Sequence, residues 1–192
     1  VVHVHDHHTG LIPFLMKYAV DYSPLRHIKT VLTIHNAQYQ GIMGWNKSHY
    51  LPAYDGWKWG MIDWQNAINP LAAGVKCADR VTTVSPSYMQ ELRESANGLE
   101  MLFEYERGKC IGILNGIDNE VWNPATDPHL TTPFKKNSVT KGKLKNKTAI
   151  CEQFNLNPAL PLVIYIGRSV GEKAAEILPE VMENAIAQHH QR

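Results

Sequence analysis

The 192-residue sequence has only three cysteines, Cys77, Cys110 and Cys151, far apart and without a CxxC pair. That spacing offers neither a zinc ribbon nor a disulfide framework, and it predicts reduced, buried thiols. There is no surplus of one charge: 19 Lys and Arg stand against 18 Asp and Glu, a formal net charge of +1. A general polyanion binder carries clustered and excess Lys and Arg, so no nucleic-acid partner is expected, while a local cationic pocket stays open. No apolar run approaches membrane-spanning length and no signal-peptide pattern is present, so no membrane partner is expected and the cytoplasm is the expected location. There is no internal repeat or low-complexity tract. There is also no initiator methionine: Val1 already falls inside an apparent strand, and the closing IAQHHQR leaves an apparent helix without a stop signal. The sequence reads as a fragment of a longer protein.

What is present is concentrated. Four of the ten histidines fall within the first eight residues, in VVHVHDHHTG. VVHVHD predicts a short strand, and LIPFLMKYAV a buried helix with Pro13 in its first turn. KTVLTIHN is a second strand, rich in β-branched residues. A long segment loaded with Trp, Tyr and Gly follows, and loops of that length inside compact domains are usually functional. WQNAINPLAAGVKCAD predicts a helix kinked or divided at Pro70. RVTTVS is a third strand, PSYMQELRES a helix, and CIGILNGI a fourth strand. The polar segment from Asn119 to about Lys143 is the best linker. KLKNKTAICEQFNL predicts a helix, LPLVIYIGR a strong buried strand, and another helix is expected from about Gly171 onward. Apolar strands alternating with helices predict an α/β protein with a parallel sheet covered on both faces. In such sheets ligands bind beyond the carboxyl ends of the strands, where HDHH, HN, SPS, NG and GR are found.

Alternation along the first strand puts His3 and His5 on one side and Asp6 on the other, with His7 and His8 in the turn. An HxH pair at a strand end can ligate zinc, but the HxHxDH hydrolase pattern is not matched, and only His35 offers itself as a further ligand. A hydrogen-bonded strand-to-helix turn, or substrate contact, is weighted above metal. In TIHNAQYQG, His35 and Asn36 end a strand; imidazole and carboxamide suit sugar hydroxyls, because both donate and accept in fixed directions. In IGRSVGEK, Arg168 ends a strand, Gly171 permits close backbone approach, and Lys173 is expected in the first turn of the next helix. Two cations and a helix N-terminus would suit a phosphate or diphosphate, with Glu172 able to pair with either cation. The P-loop pattern is absent. In ILNGID, Asn115-Gly116 is either a connector turn or a site residue between domains.

Five segments in order, HVHDHHTGLIP, TIHNAQYQG, ADRVTTVSPSY, GILNGIDNEVWNP and YIGRSVGEK, resemble the glycogen and starch synthase family of retaining glycosyltransferases. The resemblance implies the GT-B fold, two Rossmann-like domains facing across a cleft. Residues 1–113 would be the second half of the N-terminal, acceptor-side domain, and 114–192 the interdomain connection and the start of the nucleotide-sugar-binding domain. It implies a hexosyltransferase that moves glucose from ADP-glucose or UDP-glucose to the nonreducing end of an α-1,4-glucan with retention, using no metal and no cofactor. Carried over, His35 matches the active-site histidine beside the donor sugar, and Arg168 and Lys173 match the pair that grips the diphosphate. Asn115 matches a sugar contact, Asp6 and His8 match the acceptor-side segment, and Asn36 belongs with the substrate-binding residues. The family often has an aromatic residue where His7 stands, and a Gln-Lys-Gly run where this sequence has Glu172-Lys173-Ala174. The family's Lys-containing glycine-rich loop and its donor-site glutamate motif are not in the sequence, so the isolated chain is expected to be inactive. Two other readings are a metal-dependent hydrolase built on His3, His5 and His35, and a non-catalytic glucan-binding relative.

Overall fold

The computed structural model describes residues 1–170 and 173–190. The chain divides into two compact units, Val1–Ile117 and Asp118–Arg192. The first is built on a four-stranded parallel sheet of β1 (Val2–His5), β2 (Thr30–Ile34), β5 (Arg80–Thr83) and β6 (Cys110–Gly112), in the order β1-β2-β5-β6. One register row runs Val4, Leu32, Val81, Cys110, and the next runs His5, Thr33, Thr82, Ile111. Because side chains alternate across a strand, these two rows face opposite ways.

The first face is the core. Val4, Leu32, Ile34 and Val81 pack against Leu71, Ala72 and Val75 of α2 (Pro70–Cys77), Leu92 of α3 (Pro86–Glu94), and Leu102 and Phe103 of α4 (Glu100–Tyr105). A second cluster joins α1 (Ile12–Tyr18) to α2 through Phe14, Ala73 and Cys77, with Ile62 and Ile68. The sheet was expected to be covered on both faces. Among the described residues it is covered on one, because the helices gather on the core side and α1 packs on α2; His3, His5 and Ile111 on the other face are exposed.

Local chemistry explains several boundaries. Helix α2 starts at Pro70 with no kink: Asn69 is its N-cap, accepting from the Ala72 N–H at 3.0 Å, and proline suits the first helical position. The residues before it, expected in the same helix, instead form a hairpin of β3 (Asp63–Trp64) and β4 (Ala67–Ile68). Its turn residues Gln65 and Asn66 have φ of 54° and 63°, the positive values a tight hairpin turn requires. The last carbonyls of α2 are met by lysines, Lys17 Nζ on Cys77 O at 2.6 Å and Lys109 Nζ on Lys76 O at 2.9 Å. Cations suit a helix C-terminus. The Trp-rich segment folds into two 3-10 turns, Trp45–Tyr50 and Gly56–Met61. It is tied down by Trp45 Nε1 donating to Asp63 Oδ1 at 2.8 Å and Lys76 Nζ donating to Gly60 O at 2.8 Å. Cys77 and Cys151 are buried thiols and Cys110 is half-buried; all three are free.

In the second unit α5 spans Val139–Gln153, starting earlier than expected, and Asn155 at φ 53° closes it. LPLVIYIGR forms no strand, and Ile166 is 91 % exposed. A strand needs a neighbour for its N–H and C=O groups, and none is present among the described residues of this unit. Helix α6 is Leu178–His190, so its described start lies beyond Lys173; Gly171 and Glu172 lie outside the described residues.

Asp79 joins three elements at the start of the sheet. Its Oδ2 accepts from Thr30 N–H at 2.9 Å and from Thr30 Oγ1 at 3.1 Å, and its Oδ1 sits 3.3 Å from Lys29 Nζ and 3.7 Å from Lys17 Nζ. Burial alone would raise this carboxyl; the Thr30 hydrogen bonds and the two lysines outweigh it and bring it from 3.8 to about 2. The folded-state value lies below the unfolded one, so the contribution is full above about pH 4 and lost as pH falls toward 2. Acid titration of the thermal midpoint should therefore show a smaller drop between pH 4 and 2 in Asp79→Asn than in the wild type. Parallel curves would remove Asp79 from the account.

Candidate active site

All four parallel strands deliver their carboxyl ends to one edge. A 3-10 turn, His7–Thr9, follows β1. Thr9 closes it: its hydroxyl donates to His5 O at 2.6 Å and accepts from His5 N–H at 2.7 Å. Gly10 then passes so near α2 that an added Cβ would meet the Pro70 carbonyl carbon at 2.8 Å, with the oxygen nearer still. Asp6 has φ 53° and ψ −168°, a positive-φ extended backbone that residues other than glycine seldom adopt. Its Oδ1 accepts from the His35 N–H at 2.8 Å and the Asn36 N–H at 3.4 Å. One carboxylate therefore ties the end of β1 to the end of β2.

Asp6, His8 and Asn36 line one cavity of about 280 Å³ together with His7 and Tyr39. The His7 and His8 rings lie 3.8 Å apart, centroid to centroid. Asn36 Oδ1 accepts from Gln38 N–H at 2.9 Å, turning the chain after His35. His35 Nε2 faces His5 Nδ1 at 3.1 Å, and His3 Nε2 lies 2.7 Å from the Thr33 hydroxyl, itself 2.6 Å from Thr82 Oγ1. The exposed sheet face thus carries two hydrogen-bonded sets, His5 with His35 and His3 with Thr33 and Thr82. Among the described residues no group of three or more His, Cys, Asp or Glu is arranged to hold a metal ion. Asn115 follows β6, whose pairing is prolonged by Ile113 N–H on Thr83 O at 2.8 Å. It follows the strand that lies two over from β2 in the sheet.

Arg168 and Lys173 belong to the second unit. The Tyr165 hydroxyl lies 3.2 Å from Arg168 O and 3.4 Å from Lys173 O, which gathers both residues on one turn. Both are exposed. Lys173 lies in a 3-10 turn, its N–H donating to Val170 O at 2.9 Å, and the longer helix α6 begins at Leu178.

A family described as the starch synthase catalytic domain matches residues 1–105, the segment that holds the cavity. The chain belongs to this family. It is 50 % identical over 189 residues to a glycogen synthase of Flavobacterium johnsoniae, an alignment covering 98 % of this chain and 40 % of that protein. It is 42 % identical over 195 residues to a glycogen synthase of Streptococcus uberis, covering 98 % of this chain and 41 % of that protein. Among solved structures it resembles the catalytic domain of starch synthase IV from Arabidopsis thaliana bound to ADP and acarbose. That likeness has a TM-score of 0.66 and 32 % identity, and covers 83 % of this chain and 34 % of that one. The chain thus spans about 40 % of the length of the curated relatives it matches. The α/β architecture with a parallel sheet is the GT-B type of the starch synthase family.

Two further residues, both inside the motifs quoted above, brace the loop after β2 beside the cavity. Tyr88, at the end of SPSY, reaches across to the β2 loop, where its hydroxyl accepts from Ala37 N–H at 2.9 Å. Gln40, in YQG, is 6 % exposed and fully engaged in hydrogen bonds. The signal for Tyr88 is its place in the first turn of α3, next to the β2 loop once β2 and β5 pair in parallel. For Gln40 no signal distinguishes a buried amide from a surface one.

Proposed function

We propose that the protein containing this chain is a glucan synthase. It transfers glucose from ADP-glucose or UDP-glucose to the nonreducing end of an α-1,4-glucan with retention. The observation that carries this reading is that the matched segment, residues 1–105, contains the cavity lined by Asp6, His8 and Asn36, and also contains His35. In this reading 1–113 belongs to the acceptor-side domain, and 114–192 to the connection and the beginning of the donor domain.

The bond from the sugar C1 to the diphosphate breaks, and the acceptor's O4 bonds to C1 on the same face. The proton of that hydroxyl leaves with the nucleoside diphosphate. Negative charge grows on the departing group, so cations set beside it stabilise the transition state more than the bound donor. Arg168 and Lys173 are the groups for that task. His35 and Asn115 orient the sugar, and Asp6, His8 and Asn36 shape the acceptor side, with Asp6 acting through its hold on His35. Holding both reactants in the reacting geometry supplies much of the acceleration.

The test is a competition on the full-length protein with a glucan primer and both nucleotide sugars. Incorporation of glucose from one or both donors is expected. No incorporation from either, by folded protein, overturns the reading. The isolated chain should make no glucan, and synthesis by it would show that the glycine-rich loop and donor-site glutamate are dispensable.

A further inference from the structure

The loop after β2 carries a polar side chain in a place where an apolar one of the same size would be easier to bury. Gln40 is 6 % exposed and Asn69 1 % exposed. Burying an amide is unfavourable unless each polar atom finds a partner. Here both amides do. Asn69 Nδ2 donates to Gln40 Oε1 at 2.7 Å, and Gln40 Nε2 donates to Asn97 O at 3.0 Å and more distantly to Ala96 O at 3.4 Å. The backbone carbonyl of Gln40 accepts from Leu71 N–H at 3.3 Å. Asn69 is meanwhile the N-cap of α2. One amide pair therefore joins the β2 loop, the start of α2 and the turn between α3 and α4.

The residue after Gln40 transmits this placement. Gly41 has φ 70°, and a Cβ there would lie 2.7 Å from His7 Cδ2. Its bare backbone is pressed against the imidazole of His7, whose ring in turn lies against His8. His7 also forms the wall shared by the cavity of Asp6, His8 and Asn36 and a neighbouring one of about 420 Å³ lined by Gln38, Tyr39 and Gly41. A contiguous chain of contacts runs Asn69, Gln40, Gly41, His7, His8. Directed hydrogen bonds on a buried amide specify an orientation that a leucine in the same space would leave free.

We propose that Gln40 and Asn69 are positioning residues for the acceptor side of the cavity: together they hold the 38–42 loop so that Gly41 seats His7 and, through it, His8. The identity of the acceptor as a glucan rests on the function proposed above; the positioning itself does not.

The test uses the full-length protein with Gln40→Leu and Asn69→Asp. The second variant keeps the cap, because a carboxylate still accepts from Ala72 N–H, but it loses the donor to Gln40. Asn69→Asp separates helix stability from loop placement. For both variants the KM for glucan should rise about tenfold, the ratio one missing buried hydrogen bond supports, with the KM for the nucleotide sugar moving less than about twofold. Hydrogen exchange at the amides of residues 38–42 should quicken while that of β2 stays slow. A merely structural role predicts a fall in kcat that tracks a lowered thermal midpoint, with both KM values unchanged. That result, or wild-type exchange in the loop of both variants, overturns the proposal. If the wild type makes no glucan, the proposed function fails by itself, and the exchange measurement still decides the positioning.

Discussion

Gly10→Ala should lower the thermal midpoint of the chain by roughly 10 °C or more. The new Cβ would sit 2.8 Å from the Pro70 carbonyl carbon and 3.3 Å from Leu71 N, with the Pro70 oxygen closer than either. These are backbone atoms of the first turn of α2, so no rotamer change relieves the clash. Pro70 has a ring-locked φ, and Asn69 and Ala72 are fixed to each other by the cap. The other side is equally close: a Cβ on Gly74 would lie 3.0 Å from Gly10 O. Overpacking that needs backbone movement falls at the upper end of the usual range, about 3 kcal/mol. Calorimetry on wild type and variant checks it, and an unchanged midpoint would mean that the turn slides freely on α2. As a control, Gly56→Ala should be nearly silent, because nothing lies within 4 Å of the added carbon.

Lys173→Ala in the full-length protein should reduce donor use about a hundredfold, the scale expected when one preplaced charge is withdrawn from a developing anion. Glucan binding should stay near wild type. In the proposed roles Lys173 and Arg168 share the diphosphate, and the Tyr165 hydroxyl bonds to the backbone carbonyls of both residues. Steady-state kinetics in donor and affinity electrophoresis in glucan separate the two functions. Equal loss of both would assign Lys173 to folding instead of to the diphosphate.

The strands of the parallel sheet were legible because each is a short β-branched run bounded by turn residues, and because β1 alternates cleanly enough to put His3 and His5 on one face. The β3–β4 hairpin was not legible. Each strand has two residues, its turn is Gln-Asn without glycine, and it depends on a partner distant in sequence, Met43, which exchanges two 2.9 Å hydrogen bonds with Ile68. LPLVIYIGR misled for the complementary reason: its composition is that of a central strand, but composition supplies no neighbour to pair with. At the site, the motifs revealed which residues gather at the sheet edge. They did not reveal that Asp6 and Thr9 use their polar atoms on backbone, and Gln40 on backbone and Asn69, since that depends on which loops the parallel pairing brings side by side.

Helix α2 touches Gly10 from its first turn, Gln40 from its cap and Gly60 from Lys76 near its end. Each residue of an α-helix turns the direction of the next by about 100°. Inserting or deleting a single residue within 70–77 would therefore swing one set of these attachments out of phase with the other. Length variation among homologues should consequently be confined to the tips of the 3-10 turns between Gly44 and Gly60, leaving the eight positions of this helix free of gaps.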